Sequence, residues 1–391
     1  MSETWRMRTR LVHAGAARSD FGETSEAIYA TSGFVYASAE EAEARVADRA
    51  PGYQYSRIAN PTVRMLEERF AALEGAEDCA AVATGMAAVH AALFAQLRAG
   101  ARLVASAPLF GACQWIVTEL LPRFGVESEL VPAADAEAWR RALSRPADLV
   151  LVETPANPTL ELVDIGLVAS LAREAGARLV VDNAFATPWL QRPLELGADL
   201  SVYSATKLID GQGRCLGGLL AGPAALLKDT LRPYLRNTGP TLSPFNAWVL
   251  LKGLETLGLR VEAQQASART LAAWLEGHPG VRTVRYPGLV SHPQAELARR
   301  QMKGPGTMIA FRVGGGRERA FAVLNRLRLV KISNNLGDTR SLATHPATTT
   351  HAKVPAELRE RLGVTEDLIR LSVGLEDVED LMADFDRALA S

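Results

Sequence analysis

Ser204-Ala205-Thr206-Lys207 follows directly on Asp199-Leu200-Ser201-Val202-Tyr203, which reads as a strand. A lysine at the C-terminal edge of a sheet stands where α/β proteins bind their ligands. Hydroxyls three positions and one position before it reach a phosphate, while the amine points at the ring of the same ligand. Pyridoxal 5'-phosphate needs both, an anchor for its phosphate and an amine to condense with its aldehyde. Ser-x-x-Lys alone is most often a surface lysine in a hydroxyl-rich loop, so the reading depends on a second partner. The run Arg178-Leu179-Val180-Val181 ends on Asp182, some two dozen residues before Lys207. A carboxylate there keeps a pyridine nitrogen protonated, so that the ring accepts electrons from a carbanion. The plain alternative is a strand-end aspartate that caps a helix. A third element, Ala83-Thr84-Gly85-Met86, lies between a short strand and a helix. Free backbone N–H groups at such a helix start bind phosphate, which makes Gly85 and Met86 phosphate contacts.

These residues need a scaffold. ARLVAS, DLVLVET, RLVVDNA, DLSVYSA and GGLLAG read as buried strands, with helical segments separating the second, third and fourth. The alternation predicts an α/β fold with a mostly parallel sheet flanked by helices. Asn60-Pro61 begins an amphipathic helix that Gly75 ends, and a second helix runs from Met86 to about Leu97. The first sixty residues lack periodicity and read as an arm. Beyond about Gly239 a long helical stretch, broken near Gly253 and Gly258, leads into VRTVRYPG, TMIAFRV, LVKISNN and LIRLSVG. The expected organisation is an arm over 1–60, a large cofactor-binding domain over 61–245, and a smaller α+β domain over 246–391.

The bulk numbers narrow the class. In 391 residues, 43 basic side chains meet 44 acidic ones, a formal net charge of −1. There is no basic excess to draw nucleic acid or anionic lipid. The expected partner is a small molecule, with no nucleic acid and no membrane. Cys79, Cys113 and Cys215 are odd in number and far apart, which gives neither a disulfide framework nor a metal clip. The N-terminal stretch lacks the apolar core of a signal peptide, and no apolar run is long enough for a bilayer; the cytoplasm is the expected location. The Gly-x-Gly within GQGRCLGG follows the lysine and lacks the strand–loop–helix context of a dinucleotide site. His345 and His351 are too weakly constrained to be metal ligands.

Four segments together resemble the cystathionine synthase/lyase and homoserine-ester sulfhydrylase family of fold-type-I PLP-dependent transferases. They are Tyr55-Ser56-Arg57-Ile58-Ala59-Asn60-Pro61-Thr62, Glu153-Thr154-Pro155-Ala156-Asn157-Pro158, Val181-Asp182-Asn183 and Ser204-Ala205-Thr206-Lys207. The resemblance spans nearly the whole chain. It implies that Tyr55 and Arg57 cross from a neighbouring subunit to the cofactor phosphate, and hence a homotetramer built from dimers. It further implies that Asn157 faces the cofactor's phenolic oxygen and that Arg370, in LIRLSVG, clamps the substrate α-carboxylate. An arginine in an apolar strand is costly unless paired, so a carboxylate partner is sensible on physics alone.

Two positions depart from many relatives. Phe110, in Pro108-Leu109-Phe110-Gly111, stands where a tyrosine stacks on the cofactor ring; it can stack but carries no hydroxyl for acid–base work. Asn335, in Asn335-Leu336-Gly337-Asp338, stands where many relatives have serine, at the substrate. Both argue against a simple lyase. With Leu208–Arg214 and His345-Pro346-Ala347-Thr348-Thr349-Thr350-His351, these segments resemble the O-succinylhomoserine sulfhydrylase branch. That branch joins an activated homoserine ester to sulfide, giving homocysteine for methionine biosynthesis. A cystathionine γ-synthase, an O-acetylhomoserine sulfhydrylase and a γ-lyase remain open. A non-catalytic protein of the same fold is disfavoured by the presence of Asp182, Lys207 and Arg370.

Overall fold

The computed structural model describes residues 4–390. Its larger sheet has seven strands: β1 (Asp78–Val82), β2 (Arg102–Ser106), β3 (Glu127–Val131), β4 (Leu149–Glu153), β5 (Arg178–Asp182), β6 (Leu200–Ser204) and β7 (Gly218–Gly222), in the order β1-β7-β6-β5-β4-β2-β3. Neighbours from β6 through β3 pair in parallel, and β7 is antiparallel to both β6 and β1.

Alternation along the central strands fills two cores. Leu149 and Leu151 pack with Val89, Ala92 and Leu93 of the helix Gly85–Phe94. Val150 and Val152 pack on the other face with Val168 and Leu171 of the helix Ile165–Glu174. Burial on both faces is why these strands read as unbroken apolar runs. The same burial drives their polar groups to the strand ends, so Glu153, Asp182 and Ser204 all stand at the C-terminal edge.

Several boundaries differ from the sequence-based expectation for identifiable reasons. The edge strand β3 has no apolar signature: one of its sides is unpaired, and Glu127 faces solvent. Between β5 and β6 the connection holds only the short turns Thr187–Leu190 and Pro193–Leu196 instead of a full helix. The long C-terminal helical stretch does break between Gly253 and Gly258, at Thr256, which separates the helices Pro244–Glu255 and Leu257–Gly277.

A second sheet has five strands: β8 (Thr283–Arg285), β9 (Met308–Arg312), β10 (Lys331–Ile332), β11 (Leu342–Thr344) and β12 (Leu368–Ser372), ordered β10-β11-β12-β9-β8. Strand β11 has three residues, too few to show a period. Ile309, Phe311, Ile369 and Leu371 face the helices Leu257–Gly277, Gly316–Arg326 and Val378–Leu389. The alternate residues Met308, Ala310 and Leu368 face the large sheet's loops, packing with Leu160 and Phe185. Period-two alternation places Arg370 on that second face.

The N-terminal segment is anchored at one end. Leu11 and Ala14 are buried, and Arg69 on the helix Pro61–Glu74 donates to Ala14 O and pairs with Glu26. Lys252 pairs with the same carboxylate at 2.5 Å. Burial alone would raise Glu26; the hydrogen bonds and charges around it, chiefly from Lys252 and Arg69, hold it at about 2. Farther along, Phe21, Val35 and Tyr55 stand exposed. No helix among the described residues is long and apolar enough to cross a membrane.

Candidate active site

At the end of β6 the chain turns at once. Lys207 N donates to Ser204 O at 3.3 Å and Gly211 N to Lys207 O at 2.8 Å, while Leu208 and Ile209 are sunk in the core below. The turn delivers the Lys207 amine to Asn335, whose Oδ1 accepts from Nζ at 2.8 Å. Burial, and after it the charge of Arg370, lowers the amine to about 8. A lysine so placed has a reactive neutral fraction near neutral pH, as a base or a nucleophile needs.

Strand register brings two carboxyls face to face, since Glu153 on β4 pairs with Asp182 on β5. Burial raises both, and their mutual repulsion raises Glu153 further. Asp182 Oδ1 accepts from Ala184 N at 3.0 Å. Among the described residues no basic side chain pairs with it, so a cation brought to Asp182 is strongly favoured. Glu153 is engaged by backbone on both oxygens, accepting from Phe110 N at 2.7 Å and from Asn157 N at 2.8 Å. It thereby fixes the loops that carry Phe110 and Asn157. Sequence reasoning quoted Glu153 inside a motif but gave it no role; its signal was a charge ending the apolar run Leu149-Val150-Leu151-Val152.

Arg370 is 1% exposed and has no carboxylate partner among the described residues. Nη1 donates to Asn157 Oδ1 at 3.0 Å, and Nη2 to the carbonyls of Asn334 and Asn335 at 2.9 and 3.1 Å. Nε is buried without an acceptor. Burial lowers the guanidinium to about 10. A buried cation held by neutral acceptors, with N–H donors on Nε and Nη1 to spare, is a receptor for an anion.

Ser204 lies against the start of the helix Gly85–Phe94: a Cβ on Gly85 would fall 2.7 Å from Ser204 Cβ. Thr84 caps that helix, taking Ala87 N on its hydroxyl and Ala88 N on its carbonyl. The N–H groups of Gly85 and Met86 therefore precede the helical ladder and are free to bind an anion. The Met86 Sδ atom is 3.8 Å from Cys113 Sγ. Thr206 is more committed, because its Oγ1 accepts from Gly217 N at 3.1 Å and makes only a long contact, 3.4 Å, to Gly217 O. Tyr55 and Arg57 stand elsewhere. Their side chains lie together, with the guanidinium 5.5 Å from the ring centre, and Arg57 donates to Arg236 O. Within one chain nothing among the described residues joins them to Lys207.

Residues 8–390 match the model of the Cys/Met metabolism PLP-dependent enzymes. The chain belongs to that family. An O-succinylhomoserine sulfhydrylase of Mycobacterium tuberculosis is 52% identical over 97% of this chain and 94% of its own. An L-methionine gamma-lyase of Porphyromonas gingivalis is 42% identical over 98% and 96%. A crystal structure of a putative O-acetylhomoserine (thiol)-lyase (metY) from Campylobacter jejuni superposes with a TM-score of 0.94 at 30% identity, covering 99% of this chain and all of that one; it holds N'-pyridoxyl-lysine-5'-monophosphate.

The cofactor of the family is pyridoxal phosphate, and the residues present fit it. The site offers a lysine amine of lowered basicity, a carboxyl raised by burial, and free N–H groups beside a serine hydroxyl that has no partner among the described residues. His351 was discounted in the sequence as a metal ligand. Among the described residues no cluster suited to a metal occurs. His351 is buried, and burial followed by the charge of Arg370 lowers it to about 4, so it is a neutral hydrogen-bonding group in the wall of the site.

Proposed function

We propose that this enzyme performs γ-replacement on an activated homoserine ester, with O-succinylhomoserine and sulfide giving homocysteine and succinate. The observation that carries the reading is Asn335. Its side chain holds the Lys207 amine at 2.8 Å while its carbonyl holds Arg370 at 3.1 Å. The proton carrier and the carboxylate anchor thus meet on one residue, as chemistry at a carbon next to a carboxylate requires. The choice of sulfhydrylase over lyase draws support from 52% identity to the named sulfhydrylase against 42% to the named lyase.

Each residue then has a role. Arg370 grips the α-carboxylate through its spare N–H donors, with Asn157 and Asn335 orienting it. Lys207 takes a proton from Cα, then one from Cβ, and returns protons at the end. Asn335 keeps the freed amine over those carbons. Asp182 holds the pyridine nitrogen protonated, Phe110 stacks on the ring, and the Asn157 amide nitrogen faces the phenolic oxygen. Gly85, Met86, Ser204 and Thr206 bind the phosphate. Bound pyridoxal phosphate supplies the electron sink that makes Cα acidic. At Cγ the ester C–O bond breaks, succinate leaves with the electron pair, and the new C–S bond forms to sulfide.

The exposed stretch of the arm extends the proposal to the assembly. Phe21, Val35 and Tyr55 are large apolar groups left in solvent, and Arg57 lies against the Tyr55 ring away from Lys207. They suit a homotetramer in which the arm, residues 1–60, reaches the phosphate of a neighbouring subunit. The large domain over 61–245 and the small domain over 246–391 then form each site.

The test is homocysteine formation from sulfide with O-succinylhomoserine and O-acetylhomoserine in parallel, and with cysteine as competitor. Strong sulfide-dependent turnover of the succinyl ester is expected. Turnover only with cysteine, or only with the acetyl ester, would keep the family chemistry and overturn this substrate assignment.

A further inference from the structure

Two residues outside the site grip the backbone on either side of it. Arg260 and Gln264 sit one turn apart on the helix Leu257–Gly277, and both are buried. The Arg260 guanidinium donates to Leu208 O at 2.8 Å and Ile209 O at 3.2 Å, the two residues after Lys207. It also donates to Gly253 O at 2.7 Å and to Thr256 Oγ1 at 3.2 Å, tying itself to the helix break. The fit is close: a Cβ on Gly211, whose φ is +70°, would lie 1.8 Å from Arg260 Nη1. Gln264 reaches the opposite bank. Its Nε2 donates to Asp338 O at 2.7 Å, three residues after Asn335, and to Val373 O at 3.1 Å, three residues after Arg370. Its Oε1 is buried with no partner, so both useful bonds of this amide go to those two carbonyls. The two banks touch directly, since a Cβ on Gly337 would come within 2.5 Å of Leu208 N.

We propose that Arg260 and Gln264 are positioning residues that form a clamp, holding the Lys207 turn and the Asn335–Asp338 loop at the spacing that joins Lys207 to Asn335. Six carbonyl and hydroxyl acceptors on the Lys207 turn, the helix break, the Asn335 loop and the segment after β12 converge on one face of one helix. Neither side chain meets Lys207, Asn335 or Arg370 itself; each acts through backbone. A shift of about 1 Å in such a site costs on the order of a hundredfold in rate, so a clamp distant from the chemistry can control it.

The inference rests on Lys207 as the proton carrier and Asn335 as its holder, and the experiment separates the two. Gln264→Met keeps the bulk and removes both N–H donors. In the cofactor-loaded enzyme it is expected to lower kcat about tenfold. With Asn335→Ala already present, the same change is expected to cost less than about twofold, because the spacing it protects no longer matters. In the cofactor-free protein, competitive labelling of Lys207 with acetic anhydride reads the amine without turnover. Loss of its acceptor removes support from the ammonium, so the labelling midpoint falls by the same amount in Gln264→Met and Asn335→Ala. Equal losses of kcat in both backgrounds, or a midpoint that stays put in Gln264→Met, would overturn the clamp. Should Gln264→Met fail to fold, Arg260→Lys, which keeps the charge but loses the fork, is read in the same way. Turnover by Lys207→Ala would instead sink the underlying reading.

Discussion

Lys207 is held in a wall that favours its neutral form, and that has a thermodynamic consequence. Its folded value, about 8, lies below that of an unfolded lysine, near 10.4. Between those values the unfolded chain binds a proton that the folded chain does not, so this group adds stability as pH rises through the window. Below about 8 both states are protonated and the folded state carries the full burial penalty. Cofactor-free Lys207→Met is therefore expected to melt above the cofactor-free parent at pH 7, with the gap closing toward pH 10; a pH-independent gap in calorimetry would contradict this. Lys207→Ala is expected to abolish sulfide-dependent homocysteine formation. Arg370→Leu removes charge-assisted bonds worth about 1.5–3 kcal/mol each, so kcat/KM for the ester should drop by roughly 10- to 150-fold for each bond lost. Steady-state kinetics check both. At this scale much was legible: Lys207, Asp182 and Arg370 are charges in or beside apolar strands, where polar groups are rare without a reason. Asn335 and Thr206 were legible only as types, because their partners, Lys207 and Gly217, lie 128 and 11 residues away in the chain.

At the scale of elements, the parallel register of β4 and β5 makes the site. It sets Glu153 opposite Asp182 and lets one carboxylate hold two loops. Glu153→Gln supplies a single acceptor where two N–H groups point and turns an amide donor toward one of them. A buried donor left unpaired costs about 1–3 kcal/mol, so urea denaturation should show a loss of that size. No loss would mean that the Phe110 and Asn157 loops find their geometry without it. The strands bearing these residues were legible from their apolar runs. Strand β3 was not, as an edge strand needs only one apolar side, and the two-turn connection between β5 and β6 was not, since Pro188 and Pro193 shorten helices that tertiary contacts then tolerate.

At the scale of the whole molecule, the arm is divided between a stretch tied to its own chain through Arg69, Glu26 and Lys252 and a stretch left in solvent. A homo-oligomer in which Arg57 serves a neighbour's phosphate makes a sharp prediction. Arg57→Ala and Lys207→Ala should each be nearly inactive alone. Dissociated and reassembled together, they should recover activity, because a mixed pair contains one site with both residues intact; a mixture as inactive as its parts would place Arg57 in its own subunit's site or outside any.

The sequence by itself determined the chemistry-bearing residues and the strand ends that carry them, because burial on both faces of a sheet leaves polar groups only the edges. It also carried the family, through four motifs spread from Tyr55 to Lys207. Only the tertiary structure decided which of those residues meet. Asn335 joins Lys207 to Arg370, Glu153 braces Phe110 and Asn157, and Arg260 with Gln264 spans two loops. The physical reason is range. Periodicity and capping act over a few residues, whereas all of these contacts but that of Glu153 with Asn157 join residues between 35 and 128 positions apart, and their partners are mostly backbone carbonyls and amides, which every residue possesses and no sequence pattern marks.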